Sequence, residues 1–407
     1  MTRVILDISR LISRLRHVTP SGVDRVEMAY ARGLLAHYGG DLAFAAVHPS
    51  GIYGRLPRTA ALAFLDETER SWAHQNERAP ARSLVSVGRW LVALRPIRTG
   101  MGSGEVYVQV SPHHLTRPAQ VRRILAQENA RFVCMVHDLV PIEYPEYARP
   151  GGAELHARRM ATVAERADAV IVNSAATGTS LRRWIEGQGG TSPPIHVALL
   201  GTEPVAEAPR ASPANGRPFF LCLGTIEPRK NHLLLLHLWR RMAETLPSES
   251  VPRLVVVGRR GWENEQILDL LDRCPALKPH VEEVNNCSDF ELAGLLRDAR
   301  ALLMPSFAEG YGMPVAEALS VGTPVIASAI AAHREVGGEV PDYLDPLDGP
   351  AWQAAILDHA RRGPLHMGQL ARLPQWHAPG WAEHMTIAVN VIEDLGSGLP
   401  ITGGESF

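Results

Sequence analysis

The chain has 407 residues, of which 45% are hydrophobic and 21% are charged, and its formal net charge is -2. This profile is typical of a globular protein and excludes the strong basic bias of a nucleic-acid-binding chain, so no nucleic-acid partner is expected. No run of about 18 apolar residues is present, which argues against a membrane-spanning helix. The N-terminal sequence is too short and too polar for a secretory signal. Four scattered cysteines without a CxxC pair favour a reduced, cytoplasmic protein without a zinc site.

Apolar strand patterns alternate with amphipathic helix patterns through the first half of the chain. The predicted strands are 4–7, 43–47, 106–110, 131–136, 169–172 and 196–200. The predicted helices are 23–37, 118–129, 153–167 and a helix that runs from a Ser174 cap to 186. Residues 50–104 are less regular, and we expect short helices and mobile loops there. The interval 202–218 is rich in Pro, Ala and Gly, which predicts an interdomain linker.

A second alternating series follows the linker. Its predicted strands are 219–223, 254–257, 283–284, 301–304 and 325–327. Its predicted helices are 232–244, 264–273, 289–299, 315–321 and 382–395. Near-continuous apolar strands that alternate with helices predict parallel, doubly wound sheets of the α/β class. We therefore expect two Rossmann-like domains facing a cleft, at 1–205 and 206–380.

Ligands of parallel α/β sheets bind at the carboxyl ends of the strands. The strand at 301–304 runs into a glycine loop, and Pro314 marks the start of the next helix. Free N–H groups at such a helix start form an anion site. Two carboxylates flank the loop, Glu309 within it and Glu317, expected in the first helical turn. Because carboxylates repel phosphate, they suit the hydroxyl groups of a sugar or a ribose.

A second strand end carries positive charge. The strand at 219–223 is followed by Gly224, and the loop then places Arg229 beside Lys230. A guanidinium fork and an ammonium at this position suit a diphosphate. The only other lysine of the chain is Lys278, so a lysine within this segment is notable. A surface basic pair in front of a helix is the alternative explanation.

The string Glu-Gly-Tyr-Gly-Met-Pro-Val-Ala-Glu-Ala at 309–318 closely resembles the Glu-x7-Glu signature of glycosyltransferase family 4, retaining enzymes of the two-domain GT-B fold. The resemblance covers most of the chain and is most specific at 219–330. It implies that Glu309 contacts hydroxyls of the donor sugar and that Glu317 binds the ribose. It further implies that the backbone N–H groups of the loop cover the sugar and the phosphates, those of Gly310, Tyr311, Gly312 and Met313.

The same resemblance assigns further roles. Arg229 and Lys230 neutralise the donor's diphosphate, so no metal or other cofactor is expected. His137, at the end of the strand 131–136, lies against the donor sugar. The other implied donor-binding positions are Gly22, Gly224 and Arg259. Trp376, Trp381 and the C-terminal segment 381–407 are implied to be structural, with the last helix crossing back to the first domain.

The resemblance implies transfer of a hexose from a nucleotide diphosphate sugar to a carbohydrate or glycolipid acceptor in cell-surface polysaccharide synthesis. Mannose from GDP-mannose is the first choice of donor, because the segments at 227–231 and 258–262 look like those of bacterial mannosyl- and rhamnosyltransferases. A rhamnosyl- or glucosyl-type transferase with a dTDP or UDP donor, a sugar-nucleotide epimerase and a non-catalytic sugar-nucleotide-binding scaffold stay open. A phosphorylase is disfavoured because neither lysine has a setting for pyridoxal. No G-x-G-x-x-G follows a strand, which disfavours a nicotinamide dehydrogenase.

A short basic and apolar stretch near the N-terminus raises a second question. Three arginines at 10, 14 and 16 interleave with the apolar residues Leu11, Ile12 and Leu15. Peripheral contact with the cytoplasmic face of the inner membrane is one interpretation, and a solvated helix face is the other. Asp24 and Arg25, in the segment after Gly22, are candidates for acceptor or interdomain contacts.

Overall fold

The computed structural model describes residues 2–17, 20–73, 83–97, 105–203, 217–285 and 287–398. Contacts divide the chain into two compact units. Unit 1 takes its residues from Met1–Ile142, Ala153–Gly201 and Gly380–Phe407. Unit 2 takes its residues from Glu143–Gly152 and Thr202–Pro379. Most of the linker expected at 202–218 lies outside the described residues.

The sheet of unit 1 has the strand order β3-β2-β1-β4-β5-β6-β7. Its strands are β1 Val4–Asp7, β2 Leu42–Val47, β3 Tyr53–Arg55, β4 Glu105–Gln109, β5 Ala130–Val136, β6 Ala169–Val172 and β7 Ile195–Val197. All neighbours pair in parallel except β2 and β3, which are antiparallel. The strands are apolar and buried along most of their length because helices cover both faces of such a sheet.

The sheet of unit 2 is wholly parallel, in the order β10-β9-β8-β11-β12-β13. Its strands are β8 Phe219–Leu223, β9 Arg253–Val257, β10 Val281–Val284, β11 Ala301–Met304, β12 Val325–Ser328 and β13 Asp342–Leu344. Trp239 and Trp352, both fully buried, pack in the core against this sheet. The expected α/β class with two doubly wound sheets is confirmed.

Helices connect the strands in both units. In chain order they are α1 Ser9–Ser13, α2 Gly22–Tyr38, α3 Arg58–Ala73, α4 Leu84–Ala93, α5 Pro118–Glu128, α6 Val140–Glu143, α7 Gly152–Arg166, α8 Ala175–Gly187, α9 His232–Thr245, α10 Glu265–Arg273, α11 Asp289–Asp298, α12 Met313–Ser320, α13 Ala331–Gly337, α14 Gly349–Ala360, α15 Pro364–Arg372 and α16 Trp381–Gly396. The last helix packs on α2, β4 and β5 and so lies within unit 1.

Three sequence expectations were wrong in detail. Residues 50–104 do not form only short helices and loops, because β3, the 16-residue α3 and α4 are found there. The strand expected at 196–200 is limited to β7, Ile195–Val197. The helix expected at 315–321 begins two residues earlier, at Met313, with Gly312 as its N-cap. Helix ends depend on capping geometry, which a periodic pattern does not reveal.

In each sheet the order in which strands are added reverses at one point. From β1 in unit 1 the chain builds outward through β2 and β3, and it then returns to add β4 on the other side. Unit 2 does the same from β8, with β11 added on the other side. The loops that leave the two central strands therefore diverge, which opens a crevice at the carboxyl edge of the sheet. These switch points, β1/β4 and β8/β11, are where a ligand site is expected.

Asp24 has a structural role rather than the ligand or interdomain role considered above. Ser21 and Asp24 form a reciprocal capping box at the start of α2. The same carboxylate pairs with Arg10 at 2.6 Å and with Arg14 at 2.7 Å. The apolar residues of this stretch, Leu11, Ile12 and Leu15, are buried. They are therefore not available to insert into a membrane surface.

Candidate active site

The loops after β8 and β11 meet at the switch point of unit 2. Gly224 ends β8 with φ of 131°, a backbone conformation that disfavours residues with a side chain. A Cβ atom there would lie 3.2 Å from Cε of Lys230. The glycine thus leaves space for the lysine to lie against the strand end. The backbone N–H of Phe307, in the loop after β11, donates to the carbonyl of Arg229 at 2.8 Å and joins the two loops.

Three of the residues predicted from sequence form one ion-paired cluster. Lys230 Nζ donates to Glu309 Oε1 at 2.5 Å, and Arg229 Nη1 donates to Glu309 Oε2 at 2.6 Å. Ser306 Oγ donates to Oε1 at 2.7 Å. Arg229 Nε also pairs with Glu227 at 2.6 Å. The carboxylate and the lysine are almost fully buried, at 7% and 9% exposure of the side chain, whereas Arg229 keeps 24%.

The cluster holds Glu309 as an anion. Burial by itself would raise the pKa of this carboxyl, but the charges of Arg229 and Lys230 outweigh burial and hold the pKa of Glu309 well below its ordinary value. The opposite balance applies to Glu227, where burial raises the pKa despite the same two cations. Glu309 is therefore a strong hydrogen-bond acceptor at neutral pH.

The sequence predicts separate tasks for these residues, with the cations binding phosphate and the carboxylate binding hydroxyl groups. The structure joins them, because both cations are paired with Glu309. An ionised carboxylate has about four acceptor positions, and the described contacts with Ser306, Arg229 and Lys230 use three of them. Among the described contacts, one acceptor position of Glu309 is not used. A phosphate that approaches Arg229 would share this cation with Glu309.

The glycine loop leads directly into α12. Gly312 is the N-cap with φ of 103°, and Pro314 lies in the first turn, where its missing N–H costs nothing. The expectation that Glu317 lies in the first turn was wrong, since the helix begins at Met313 and Glu317 is its fifth residue. A role for Glu317 in stabilising the helix dipole is accordingly weakened. Tyr311 has its ring buried, so its expected contribution to a ligand is through the backbone.

His333, at the start of α13, was missed in the sequence argument. Its side chain is fully buried, and its Cδ2 lies 3.1 Å from where a Cβ on Gly312 would be. Nδ1 lies 3.1 Å from the carbonyl of Ser328 and therefore carries the proton, while Nε2 has no hydrogen-bond partner among the described residues. Burial lowers the pKa of His333 despite the nearby Glu309 charge, so the ring is neutral. No sequence motif indicated this position.

Arg259 and Trp262 follow β9 in the same unit. Arg259 is exposed, and its carbonyl accepts from the N–H of Ile226, which joins the loops after β8 and β9. Trp262 donates from Nε1 to the carbonyl of Tyr147 at 3.1 Å, and the guanidinium of Arg149 lies over its ring. Packing, one of the two roles considered for this tryptophan, is thus present.

The two predicted residues of the first half of the chain lie in unit 1. His137 directly follows β5, and its Nε2 lies 2.7 Å from the carbonyl of Val110. Burial lowers the pKa of His137, so the ring is neutral and donates to that carbonyl. Gly22 is the first residue of α2 and is exposed.

The switch point of unit 1 contains a second set of buried ionisable groups. Asp7, at the end of β1, accepts from Tyr107 Oη at 2.5 Å and lies 3.3 Å from Nε2 of His114. Burial acts to raise the pKa of Asp7, but His114 and the hydrogen bonds lower it overall. Glu27 of α2 accepts from the N–H of Leu11 at 3.1 Å. Burial and the adjacent Asp7 raise the pKa of Glu27 to about 8, so its carboxyl is protonated at neutral pH.

Comparison with known proteins agrees with this geometry. Residues 206–339 match the family model described as glycosyl transferases group 1. This match contains Arg229, Lys230, Glu309 and the whole of α12. This part of the chain is therefore similar to glycosyl transferases of group 1.

Two relatives of the chain are mannosyltransferases by name. The chain is 31% identical over 233 residues to the serotype-specific mannosyltransferase WbdA of Escherichia coli, a match that covers 52% of the chain and 28% of that protein. It is 36% identical over 141 residues to O-antigen chain mannosyltransferase B of Escherichia coli, covering 34% of the chain and 36% of that protein. The chain thus spans only about a quarter to a third of the length of these curated relatives.

A solved structure is similar in fold to almost the whole chain and not only to residues 206–339. Sucrose-phosphate synthase from Thermosynechococcus elongatus superposes with a TM-score of 0.63 at 19% identity, and the match covers 98% of this chain and 100% of that one. The two parallel-sheet units therefore have the GT-B fold, as expected from sequence.

Within the described residues, no group of three or more His, Cys, Asp or Glu side chains is arranged to hold a metal ion. Over the same part of the chain, no helix combines the length and the apolar character needed to cross a membrane. The four cysteines are free thiols.

Proposed function

We propose that this chain is a retaining hexosyltransferase of glycosyltransferase family 4, which transfers mannose from a nucleotide diphosphate sugar to a carbohydrate or glycolipid acceptor in the synthesis of a cell-surface polysaccharide. One observation carries the proposal. The switch point of unit 2 combines two cations, an ionised carboxylate and the N-terminus of α12 within hydrogen-bonded loops. The mannosyltransferase relatives support the choice of mannose.

In this proposal the bond between the anomeric carbon and the diphosphate oxygen breaks, and its electron pair leaves with the diphosphate. Arg229 and Lys230 neutralise the charge that develops on this leaving group, helped by the N–H groups at the start of α12. The acceptor hydroxyl forms a new bond on the same face of the carbon. Its proton passes to the departing phosphate, so no protein base is required.

Glu309 has the task of orienting the donor. Its remaining acceptor position binds a hydroxyl of the donor sugar, which fixes the sugar relative to the cations. Because Glu309 is ionised, this hydrogen bond is charge-assisted and stronger than one to a neutral group. Glu317, which lies one turn after the start of α12, is proposed to bind the ribose. Gly224 and Arg259 are further proposed donor contacts in unit 2, and Gly22 and His137 are proposed donor contacts in unit 1.

A panel of nucleoside diphosphates and their sugars tests the proposal. Ligand binding to the native state raises the melting temperature by mass action, so GDP and GDP-mannose should give the largest shifts among the GDP, UDP and dTDP series. Transfer is then measured with methyl α-mannopyranoside as acceptor, and the anomeric configuration of the product is read by NMR. Absence of any thermal shift and of any product across the panel would rule the proposal out.

Four narrower points belong to the proposal. The reaction is proposed to need no metal, since Arg229 and Lys230 supply the positive charge, and turnover that survives EDTA tests this. A dTDP or UDP donor is the alternative that the same panel resolves. A binding scaffold would give thermal shifts without product. Peripheral membrane association, if it occurs, must use a surface other than the buried apolar residues around Ile12.

A further inference from the structure

Three aromatic rings form an offset stack that ends beside the Glu309 cluster. Tyr144 stacks on Tyr147 with ring centroids 5.9 Å apart and planes inclined by 21°. Tyr147 stacks on Phe307 at 5.7 Å with planes inclined by only 10°. All three residues belong to unit 2, although the two tyrosines come from the ten-residue segment Glu143–Gly152, whose flanking residues belong to unit 1.

The rings are offset rather than stacked face to face. Carbon atoms in contact are about 3.5–4.0 Å apart, so nearly parallel rings with centroids at 5.7 Å must be displaced sideways. Each ring therefore leaves part of its face uncovered. Tyr144 is 37% exposed, and Tyr147 and Phe307 are half-buried. The result is a stepped aromatic surface that is partly accessible to solvent.

Hydrogen bonds hold this offset stack against the proposed active site. Trp262 Nε1 donates to the carbonyl of Tyr147 at 3.1 Å, and the N–H of Tyr147 bonds the carbonyl of Tyr144 at 3.0 Å. At the other end, the N–H of Phe307 donates to the carbonyl of Arg229. Phe307 precedes Glu309 by two residues, so their Cα atoms are at most about 7 Å apart.

We propose that Tyr144, Tyr147 and Phe307 form an acceptor subsite that binds a pyranose ring by its C–H face. This inference rests on the proposed transferase function. A pyranose has an apolar face and a hydroxyl-bearing rim, which matches an aromatic surface with polar groups beside it. A nucleobase would also stack on aromatic rings. It is disfavoured because two phosphates and a ribose separate the base from the reacting carbon, whereas Phe307 adjoins the residue proposed to hold the donor sugar.

Substitution of Tyr147 separates the contribution of the ring from that of its hydroxyl. Tyr147→Leu should raise the KM for methyl α-mannopyranoside about tenfold, with the KM for the donor and the thermal shift by the nucleoside diphosphate unchanged. Tyr147→Phe keeps the ring and should retain the wild-type KM. Phe307→Leu should raise the same KM as Tyr147→Leu does. It replaces Tyr147→Leu as the test if the Tyr147 variant does not fold.

Direct binding gives a readout that does not depend on turnover. Saturation-transfer NMR with methyl mannoside, glucoside, galactoside and rhamnoside should show transfer to the ring C–H protons of at least one glycoside, which Tyr147→Leu abolishes and Tyr147→Phe preserves. No signal from any of the four with wild type would overturn the subsite. So would weaker nucleoside diphosphate binding in Tyr147→Leu, which would assign the surface to the base. Failure of the proposed function is distinct, because the wild type would then bind no nucleoside diphosphate.

Discussion

Each switch point contains a buried glutamate side chain. In unit 1 this is Glu27, which lies on helix α2, and in unit 2 it is Glu309, which lies in the loop after β11. Both side chains are almost inaccessible to solvent. The pKa of Glu27 is raised to about 8, and the pKa of Glu309 is held well below its ordinary value. At neutral pH one is therefore a neutral acid and the other is an anion.

The difference comes from the neighbours, not from the depth of burial. Glu27 lies beside another acid, Asp7, and burial dominates its titration. Glu309 is clamped between a lysine and an arginine, whose charges exceed the cost of burial. A carboxylate that stays ionised while buried only accepts hydrogen bonds, whereas a protonated carboxyl group can also donate one. The two switch points therefore differ in the hydrogen-bonding groups that they contain.

Removing the charge of Glu309 should have the largest effect. Glu309→Gln keeps the shape but loses the anion that pairs with Arg229 and Lys230, and we expect transfer to fall about 100- to 1,000-fold. Initial rates of product formation measure this. The matched control is Glu27→Gln, which mimics the protonated acid and should keep the rate within about twofold. Equal losses in both variants would remove the distinction between the two switch points.

Removing one cation tests the other side of the same cluster. Lys230→Met should lower turnover about 100-fold, because the leaving diphosphate loses part of its charge neutralisation. The chain offers a clean control, since its only other lysine, Lys278, is exposed. Lys278→Met should behave as wild type in the same assay. A Lys230→Met enzyme with full activity would show that Arg229 alone serves the leaving group.

Adding a side chain at Gly312, the N-cap of α12, tests how closely the loop packs against His333. Gly312→Ala places a Cβ at a φ of 103° and 3.1 Å from His333, so we expect a loss of about 1–3 kcal/mol in the free energy of unfolding. Gly338→Ala shares a positive φ, 57°, but has open space around its Cβ, and it isolates the backbone strain. Urea denaturation measures both. If the two losses are equal, contact with His333 contributes nothing.

The two switch points also differ in the pH dependence that Glu27 gives to stability. Its pKa is near 4.5 in the unfolded chain and about 8 in the folded protein, so the folded state holds a proton that the unfolded state releases within this window. Stability from this group is present below pH 4.5 and is lost as the pH rises to 8. Because Glu27→Gln cannot ionise, its stability relative to wild type should be about 3 kcal/mol higher at pH 8 than at pH 5. Melting temperatures at the two pH values test this, and a pH-independent difference would contradict the assignment.

Much of the site was predictable because its parts are local in sequence. A strand followed by Gly224, Arg229 and Lys230, and another followed by a glycine loop with Glu309, define two strand ends of one parallel sheet. Adjacent strand ends must meet, so the proximity of these residues follows from topology. The start of α12 was misplaced by two residues because Gly312 caps the helix in a left-handed conformation, which the hydrophobic period does not encode.

Other features could not be read from the chain. Asp24 was a candidate ligand by position, yet it pairs with arginines 10 and 14 across a loop. His333 carries no motif and matters only because α13 packs its ring against Gly312. Tyr147 lies 160 residues before Phe307 in the sequence, and no local pattern relates the two rings.

The sequence by itself determined the two doubly wound sheets and the positions of the charged loops, because apolar periodicity and glycine placement act over a few residues. The tertiary structure decided which carboxyl groups are ionised, since charge state depends on neighbours that are distant in sequence. It also decided that Glu309 and its cations form one paired cluster rather than separate binding groups. Coulomb interactions and desolvation act through space, and only the folded chain sets those distances.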